Sequence, residues 1–317
     1  MICSIFSAYC LAFMENTLVI NSVSDYCNLR NYEVKHSLIA IVDFNKVSNG
    51  GETRKSFNAM HFNCYAIFLK DAEGCKMMYG GKPYDYDEGT LVFLSPNQTI
   101  KLGQYDPNFT PKGYAILFHP DLLLGTDLFK KINTYGFFSY ESNEALHISA
   151  KERKVILSVI DKIQFELDQN IDKHSKNLIT SNLELFLDYC TRFYNRQFIT
   201  RAHENQNTID KFETLLNDYF KSKKSFKNGL PSVNYFADEL CLSPNYFGDL
   251  VKNETGKSAQ EHIQLKLINL SKNKMFNNNK SISEIAFELG FKYPQHFSRM
   301  FKKSTGLTPK EFRTLNN

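Results

Sequence analysis

The sequence predicts an α+β multidomain protein with a front β domain, a helical hairpin behind it, and an all-α C-terminal domain with two helix-turn-helix units. Three observations predict this. Residues 36–120 carry many short β-type runs without helices between them. Residues 149–196 carry two apolar stripes at helical spacing. From Val233 onward, one pattern of helix, tight turn and helix occurs twice.

The chain has 317 residues, enough for two domains, and its 42% hydrophobic content suits real cores. No run of about 18 apolar residues occurs, so no membrane span is expected. The seven cysteines (Cys3, Cys10, Cys27, Cys64, Cys75, Cys190 and Cys241) are odd in number and scattered, with no CxxC pair. That usage fits reduced thiols in a cytoplasm better than disulfides or zinc. The opening MICSIFSAYCLAF is apolar but has no basic residue before it and no clear cleavage site after it. Met14 is therefore the expected start, and a secreted protein the alternative.

The front domain is expected over 14–148. The runs "HSLIAIVDF", "CYAIFLK", "GCKMMYGG", "GTLVFLSPNQTIKLG" and "GYAILFHP" are rich in β-branched and aromatic residues. Gly, Pro, Asn or Asp separates most of them, the punctuation of a sandwich or β-barrel. Tyr65, Phe68, Tyr79, Phe93 and Tyr114 are candidates to line a ligand pocket, although as core fillers they need no ligand, and that reading is favoured for most. His36, His61 and His119 form no His-x-His pair. Spacing alone leaves open a site of two histidines and one carboxylate, but His61 and His119 read as strand-end or hydrogen-bonded polar residues.

The hairpin is expected over 149–199. Ser149 and Glu152 have capping-box spacing. Val155, Ile156, Val159, Ile160, Ile163 and Leu167 form the first stripe; Leu178, Ile179, Leu183, Phe186, Leu187 and Cys190 form the second. The stripes pack within one chain or pair across a homodimer. "TRAHENQN" is polar and unpatterned, so a linker is placed at 200–208. A helix follows over Ile209–Lys221, with Phe212, Leu215, Leu216, Tyr219 and Phe220 inward.

In the C-terminal domain, 209–317, Ser281 and Glu284 again form a capping box. Ile282, Ile285, Ala286 and Leu289 fall on one helical face, and Gly290 supplies the left-handed stop. Pro294 opens a second helix, in which Phe297, Met300 and Phe301 face inward. Gln295, Ser298, Arg299 and Lys302 then face outward. Arg grips guanine, and Gln adenine, with two hydrogen bonds each, so this face suits a major groove. Any amphipathic hairpin shares part of this pattern; the duplication decides. Val233, Phe236, Ala237 and Leu240 repeat the first helix at an offset of 49, and Phe247, Leu250 and Val251 repeat the second at an offset of 50. Thr255-Gly256 matches Thr305-Gly306, and Ser258–Glu261 matches Thr308–Glu311. Glu261–Phe276 reads as one helix between the units, about 24 Å long, which would hold the reading helices apart toward successive grooves about 34 Å apart. From Thr208 onward there are 17 basic and 11 acidic residues, against 21 and 23 in the remainder. A basic tail behind a slightly acidic body points to a polyanion partner.

These residues resemble the AraC family of bacterial transcription regulators over Ser232–Phe312, most specifically in "SISEIAFELGFKYPQHFSRMFKKSTGLTPKEFR". The resemblance implies an N-terminal cupin-like β-barrel that senses a small-molecule effector, two helix-turn-helix units on double-stranded promoter DNA, RNA polymerase as a partner, and no cofactor or catalysis. By position it implies base reading by Asn245, Gly248 and Asp249 in the first unit and by Gln295, Ser298 and Arg299 in the second. Lys252, Lys302 and Lys303 are the implied phosphate contacts. Gly248 and Asp249 leave the first reading helix short of donors, so the second unit is expected to carry more of the sequence preference. As a solvated surface charge, Asp249 would read nothing. The linker helix departs from the family at Ala259, Leu267, Ser271 and Lys274, where members often carry Pro, Arg, Ala and Leu. Two rivals remain: a cupin-type metalloenzyme with an accessory DNA-binding tail, and a DNA binder without sequence preference.

Overall fold

The computed structural model describes residues 17–46, 57, 59–71, 78–79, 82–83, 89–101, 112–141, 144–276 and 280–316. The expectations for residues 1–13, and for Cys3, Cys10 and Cys75, lie outside them. The chain divides into two compact units, 1–197 and 198–317. The first is sheet-rich and the second all-helical, the mixed α+β class expected.

The first unit runs β1 (Thr17–Ile20), α1 (Val23–Leu29), β2 (Ile39–Asp43), β3 (Ala59–Phe62), β4 (Tyr65–Lys70), β5 (Met78–Tyr79), β6 (Lys82–Pro83), β7 (Thr90–Leu94), β8 (Gln98–Lys101) and β9 (Gly113–Phe118). It continues through α2 (Asp127–Lys131), β10 (Leu146–His147) and α3 (Ala150–Leu167) into α4 (Ser175–Thr200), whose last turn crosses into the second unit. Among the described residues the strands form three separate ladders: β1-β3-β8, β10-β7-β4-β9-β2 and β5-β6. All pairings are antiparallel except β1 with β3. A closed barrel is therefore not seen. Residues 47–56, 72–77 and 102–111 lie outside the described residues.

The five-stranded sheet is buried on both faces, so its strands read as continuous apolar runs rather than alternating ones. On one face, small residues leave room for aromatics. Ala40, Val42, Ala66, Ala115 and Leu117 pack with Ile20, Val23, Tyr26, Phe62 and Cys64, and Phe68 joins them. Tyr26 lies tilted against Phe62 and Phe68, which meet edge to face, with centroids 5.9–6.2 Å apart. The register puts Tyr65, Ile67, Phe93, Tyr114, Ile116 and Phe118 on the other face, because alternate side chains point to opposite sides. There Phe93 meets Phe137, Phe138 and Tyr194, and Tyr65 stacks on Phe118.

The helical hairpin forms as its spacing predicts. Ser149 Oγ accepts from Glu152 N, and Glu152 Oε2 accepts from Ser149 N. Ile156, Val159, Ile160 and Ile163 are buried on α3, as are Ile179, Leu183, Phe186, Leu187 and Cys190 on α4. Leu178 differs: it is 45% exposed.

The second unit runs α5 (Ala202–Lys221), α6 (Lys224–Asn228), α7 (Val233–Glu239), α8 (Pro244–Thr255), α9 (Ala259–Met275), α10 (Ile282–Glu288), α11 (Pro294–Thr305) and α12 (Pro309–Asn316). Phe212 lies at its centre, edge-on to Phe236 and Phe247. The tract expected as a linker at 200–208 is largely helical, forming the first two turns of α5. Asn205 there is buried, donating to Phe198 O and to Glu254 Oε1. An inward polar side chain with full partners breaks the apolar pattern without breaking the helix.

Candidate nucleic-acid interface

The duplication seen in the sequence extends to individual hydrogen bonds. Ser232 Oγ accepts from Tyr235 N at 3.1 Å, and Ser281 Oγ from Glu284 N at 3.2 Å. After α7 and α10 the chain reverses through the same bond, Leu242 N to Ala237 O and Phe291 N to Ala286 O, both 3.0 Å. At the ends of α8 and α11, the Thr255 and Thr305 hydroxyls donate to Val251 O and Phe301 O at 2.7 and 2.8 Å. Gly256 N and Gly306 N close the final turns on Lys252 O and Lys302 O. These bonds satisfy helix-end groups that water would otherwise have to serve.

Each pair therefore presents its second helix in a set orientation. Phe247, Leu250 and Val251 of α8 are buried, as are Phe297 and Phe301 of α11; Met300 is half-buried. On the opposite side of α11, Gln295, Arg299, Lys302 and Lys303 are exposed and Ser298 is half-buried. On α8, Asn245 and Lys252 are exposed, while Gly248 and Asp249 are half-buried. Nothing lies within 4 Å of the position a Cβ on Gly248 would take. Of these candidates, the first helix thus offers one exposed amide and one lysine where the second offers an amide, a guanidinium and two lysines.

The units differ at their turns. Cys241 and Gly290 occupy matching positions and both have positive φ, 56° and 97°. Cys241 is exposed, whereas a Cβ on Gly290 would lie 2.7 Å from Gly229 C and 2.9 Å from Ser225 O. Only the second turn excludes every residue but Gly, because α6 presses against it. Ser225 Oγ also donates to Glu288 O at 2.9 Å. Sequence reading missed α6, since five residues are too few to show a helical period.

Helix α9 joins the units as expected, opened by Ser258 Oγ accepting from Glu261 N. Leu267 and Ser271, two departures from the family pattern, are buried, and the Ser271 hydroxyl donates to Leu267 O. Lys274, a third departure, pairs with Glu288 of α10 at 2.6 Å; Lys280 pairs with the other oxygen. Both lysines hold the Glu288 carboxyl below its ordinary range. Glu261, Glu284 and Glu311 are lowered too, each by the backbone N–H at the head of its own helix.

The candidate pocket residues of the first unit do not all share one face. Phe68 faces one layer, and Tyr65, Phe93 and Tyr114 face the other. Tyr79 lies on β5, and its side chain is outside the described residues. The histidines are engaged locally: His61 with Thr99 and Asn63, His119 with the backbone and carboxylate of Asp121, and His36 with Leu38 N. Burial lowers the pKa of His36.

Known proteins are similar to this chain mainly over the second unit. A family profile described as a helix-turn-helix domain matches residues 236–314. The uncharacterized transcriptional regulatory protein YesN of Bacillus subtilis is 44% identical over 78 residues, covering 24% of this chain and 21% of YesN. The HTH-type transcriptional activator RhaS of an Enterobacter species is 18% identical over 266 residues, covering 81% of this chain and 88% of RhaS. The C-terminal domain of the response regulator yesN from Fusobacterium nucleatum aligns at 21% identity, with a TM-score of 0.30, over 34% of this chain and 98% of that one. The C-terminal part of the chain is an AraC-type helix-turn-helix domain. The chain spans about a fifth of the length of YesN. No described helix is long and apolar enough to cross a membrane.

Proposed function

We propose that this chain is a sequence-specific DNA-binding regulator of transcription, acting in the cytoplasm and without catalytic activity. The observation that carries the reading is the duplicated, capped helix pair whose second copy exposes Gln295 and Arg299 above a buried aromatic face. In this reading Gln295, Ser298 and Arg299 read bases, with Asn245, Gly248 and Asp249 contributing less. Lys252, Lys302 and Lys303 neutralise phosphates, so affinity falls steeply with salt. The front unit then receives the signal, as a cupin-like sensor domain. The likeness to RhaS across most of the chain supports this two-part arrangement. Tyr65, Phe68, Phe93 and Tyr114 are better read as core, since they divide between two layers. A small-molecule effector, RNA polymerase as partner, and a homodimer through the exposed Leu178 and Leu185 of α4 complete the proposal.

The test is binding of the full chain to DNA selected from a random pool. Arg299→Ala is expected to cost about 1–3 kcal/mol on the selected site and to relax one base position. Lys302→Ala is expected to weaken all sequences alike and to reduce the salt slope by about 0.9. An equal loss from Arg299→Ala on selected and random DNA would refute the base-reading assignment.

A further inference from the structure

A cavity lies within the second unit, away from the outward faces of α8 and α11. It measures about 570 Å³ and is walled by α5, α6, α9 and α10. That volume falls within the range of roughly 300–1,000 Å³ typical of small-molecule sites. Its lining has two chemistries. Phe220, Phe226, Leu270 and Leu289 supply apolar surface, and Phe226 is 67% exposed where burial would be expected of an aromatic. Five lysines, Lys221, Lys223, Lys266, Lys274 and Lys280, share the cavity with a single carboxylate, Glu288. Glu288 pairs with Lys274 and Lys280. Among the described residues, Lys266 bonds to the neutral Asn217, and Lys266, Lys221 and Lys223 have no carboxylate partner. Like charges gathered around an apolar hollow are unfavourable until an anion joins them, and solvated lysines alone would not require the hollow.

We propose that this cavity binds an amphipathic organic anion: a carboxylate, sulfonate or phosphate carried on an aromatic or aliphatic body. The apolar body lies against Phe220, Phe226 and Leu270, and the anionic end lies among the lysines. Glu288 occupies part of that anionic position and competes with the ligand for Lys274 and Lys280. Because Glu288 ends α10, and the turn after it packs on α6, ligand occupancy bears directly on the support of the second reading helix. The site is distinct from any effector site in the front unit, and its existence does not depend on DNA binding.

The experiment uses anilinonaphthalene sulfonate, an aryl sulfonate whose emission rises in apolar surroundings, titrated into the full chain. The exposed residues Lys221 and Lys223 are changed together to Ala, which is expected to weaken the dye about tenfold, while the double change to Arg retains binding, since the charge is what attracts the anion. Phe226→Ser is expected to reduce both emission and affinity. Glu288→Gln is expected to tighten binding several-fold by releasing two lysines. Three results would overturn the proposal. The first is equal dye binding by all variants. The second is displacement by millimolar inorganic phosphate with no dependence on Phe226, which would mark a simple anion hole. The third is a matching loss of affinity for DNA in the alanine double variant, together with dye displacement by a short duplex of any sequence, which would make the lysines phosphate contacts.

Discussion

Gly290→Ala separates two costs that a sequence cannot tell apart. The first is backbone conformation: at φ 97° an L-residue is strained by about 1–2 kcal/mol. The second is contact. The new methyl would sit 2.7 Å from Gly229 C, 2.8 Å from Gly229 O and 2.9 Å from Ser225 O. These are main-chain atoms, so α6 as a whole must shift. Forced overpacking of this kind costs about 1–3 kcal/mol, and losing the bond from Ser225 Oγ to Glu288 O adds about 1 kcal/mol. The total is roughly 4 kcal/mol, a large share of an ordinary domain's stability. Gly306→Ala is the internal control. Its φ is 80°, and nothing lies within 4 Å of the added methyl, so only the backbone cost of about 1–2 kcal/mol applies. The chain has no Trp, so denaturant unfolding is best followed by far-ultraviolet circular dichroism. The two variants should differ by at least about 2 kcal/mol, the overpacking and hydrogen-bond costs together. Equal losses would show that α6 does not brace the second turn.

Three further outcomes follow from the same geometry. Gly248→Ala fills open space on α8 and should stabilise that helix by about 0.8–1 kcal/mol; if the bare backbone is there to approach DNA, affinity falls while stability rises, and a rise in both would remove Gly248 from the interface. Glu261, Glu284, Glu288 and Glu311 are all lowered from an ordinary value of 4.5. Their contribution is therefore fully present above that pH and is lost as pH falls through the lower folded values. Changing Glu261, Glu284 and Glu311 together to Gln should flatten the acid limb of the stability curve, and an unchanged limb would count against the capping bonds. Burial pushes Cys27 and Cys64 up to about 11 and raises Cys190, while Cys241 is exposed. Iodoacetamide followed by peptide mass spectrometry should thus modify Cys241 in the native protein and the other three only on unfolding; early modification of Cys27 would contradict its burial.

Much of the second unit was legible because its signals are local. A capping Ser and its Glu lie three residues apart, an apolar face repeats every three or four, and the left-handed stop follows at once. Such signals act within one or two turns of helix, so Ser258–Glu261, Ser281–Glu284 and the inward Phe297 and Phe301 are found where the sequence expects them. The front unit resisted because its strands are buried on both faces. Tyr65, Phe68, Phe93 and Tyr114 look alike along the chain, and only the pairing register assigns Phe68 to one layer and the others to the second. Asn205 made α5 look like a linker, because its partner Glu254 is 49 residues away.

The sequence by itself determined the duplicated unit, its caps, the outward placing of Gln295, Arg299 and Lys302, and the helix that joins the copies. The tertiary structure alone decided why Gly290 must be Gly while Cys241 need not be, which aromatic side chains share a layer, and where five lysines meet around a hollow. The physical reason is reach. Helix periodicity and capping act between neighbours in the chain. Close packing and charge crowding act between residues such as Gly229 and Gly290, or Lys221 and Lys280, which only the finished fold brings together.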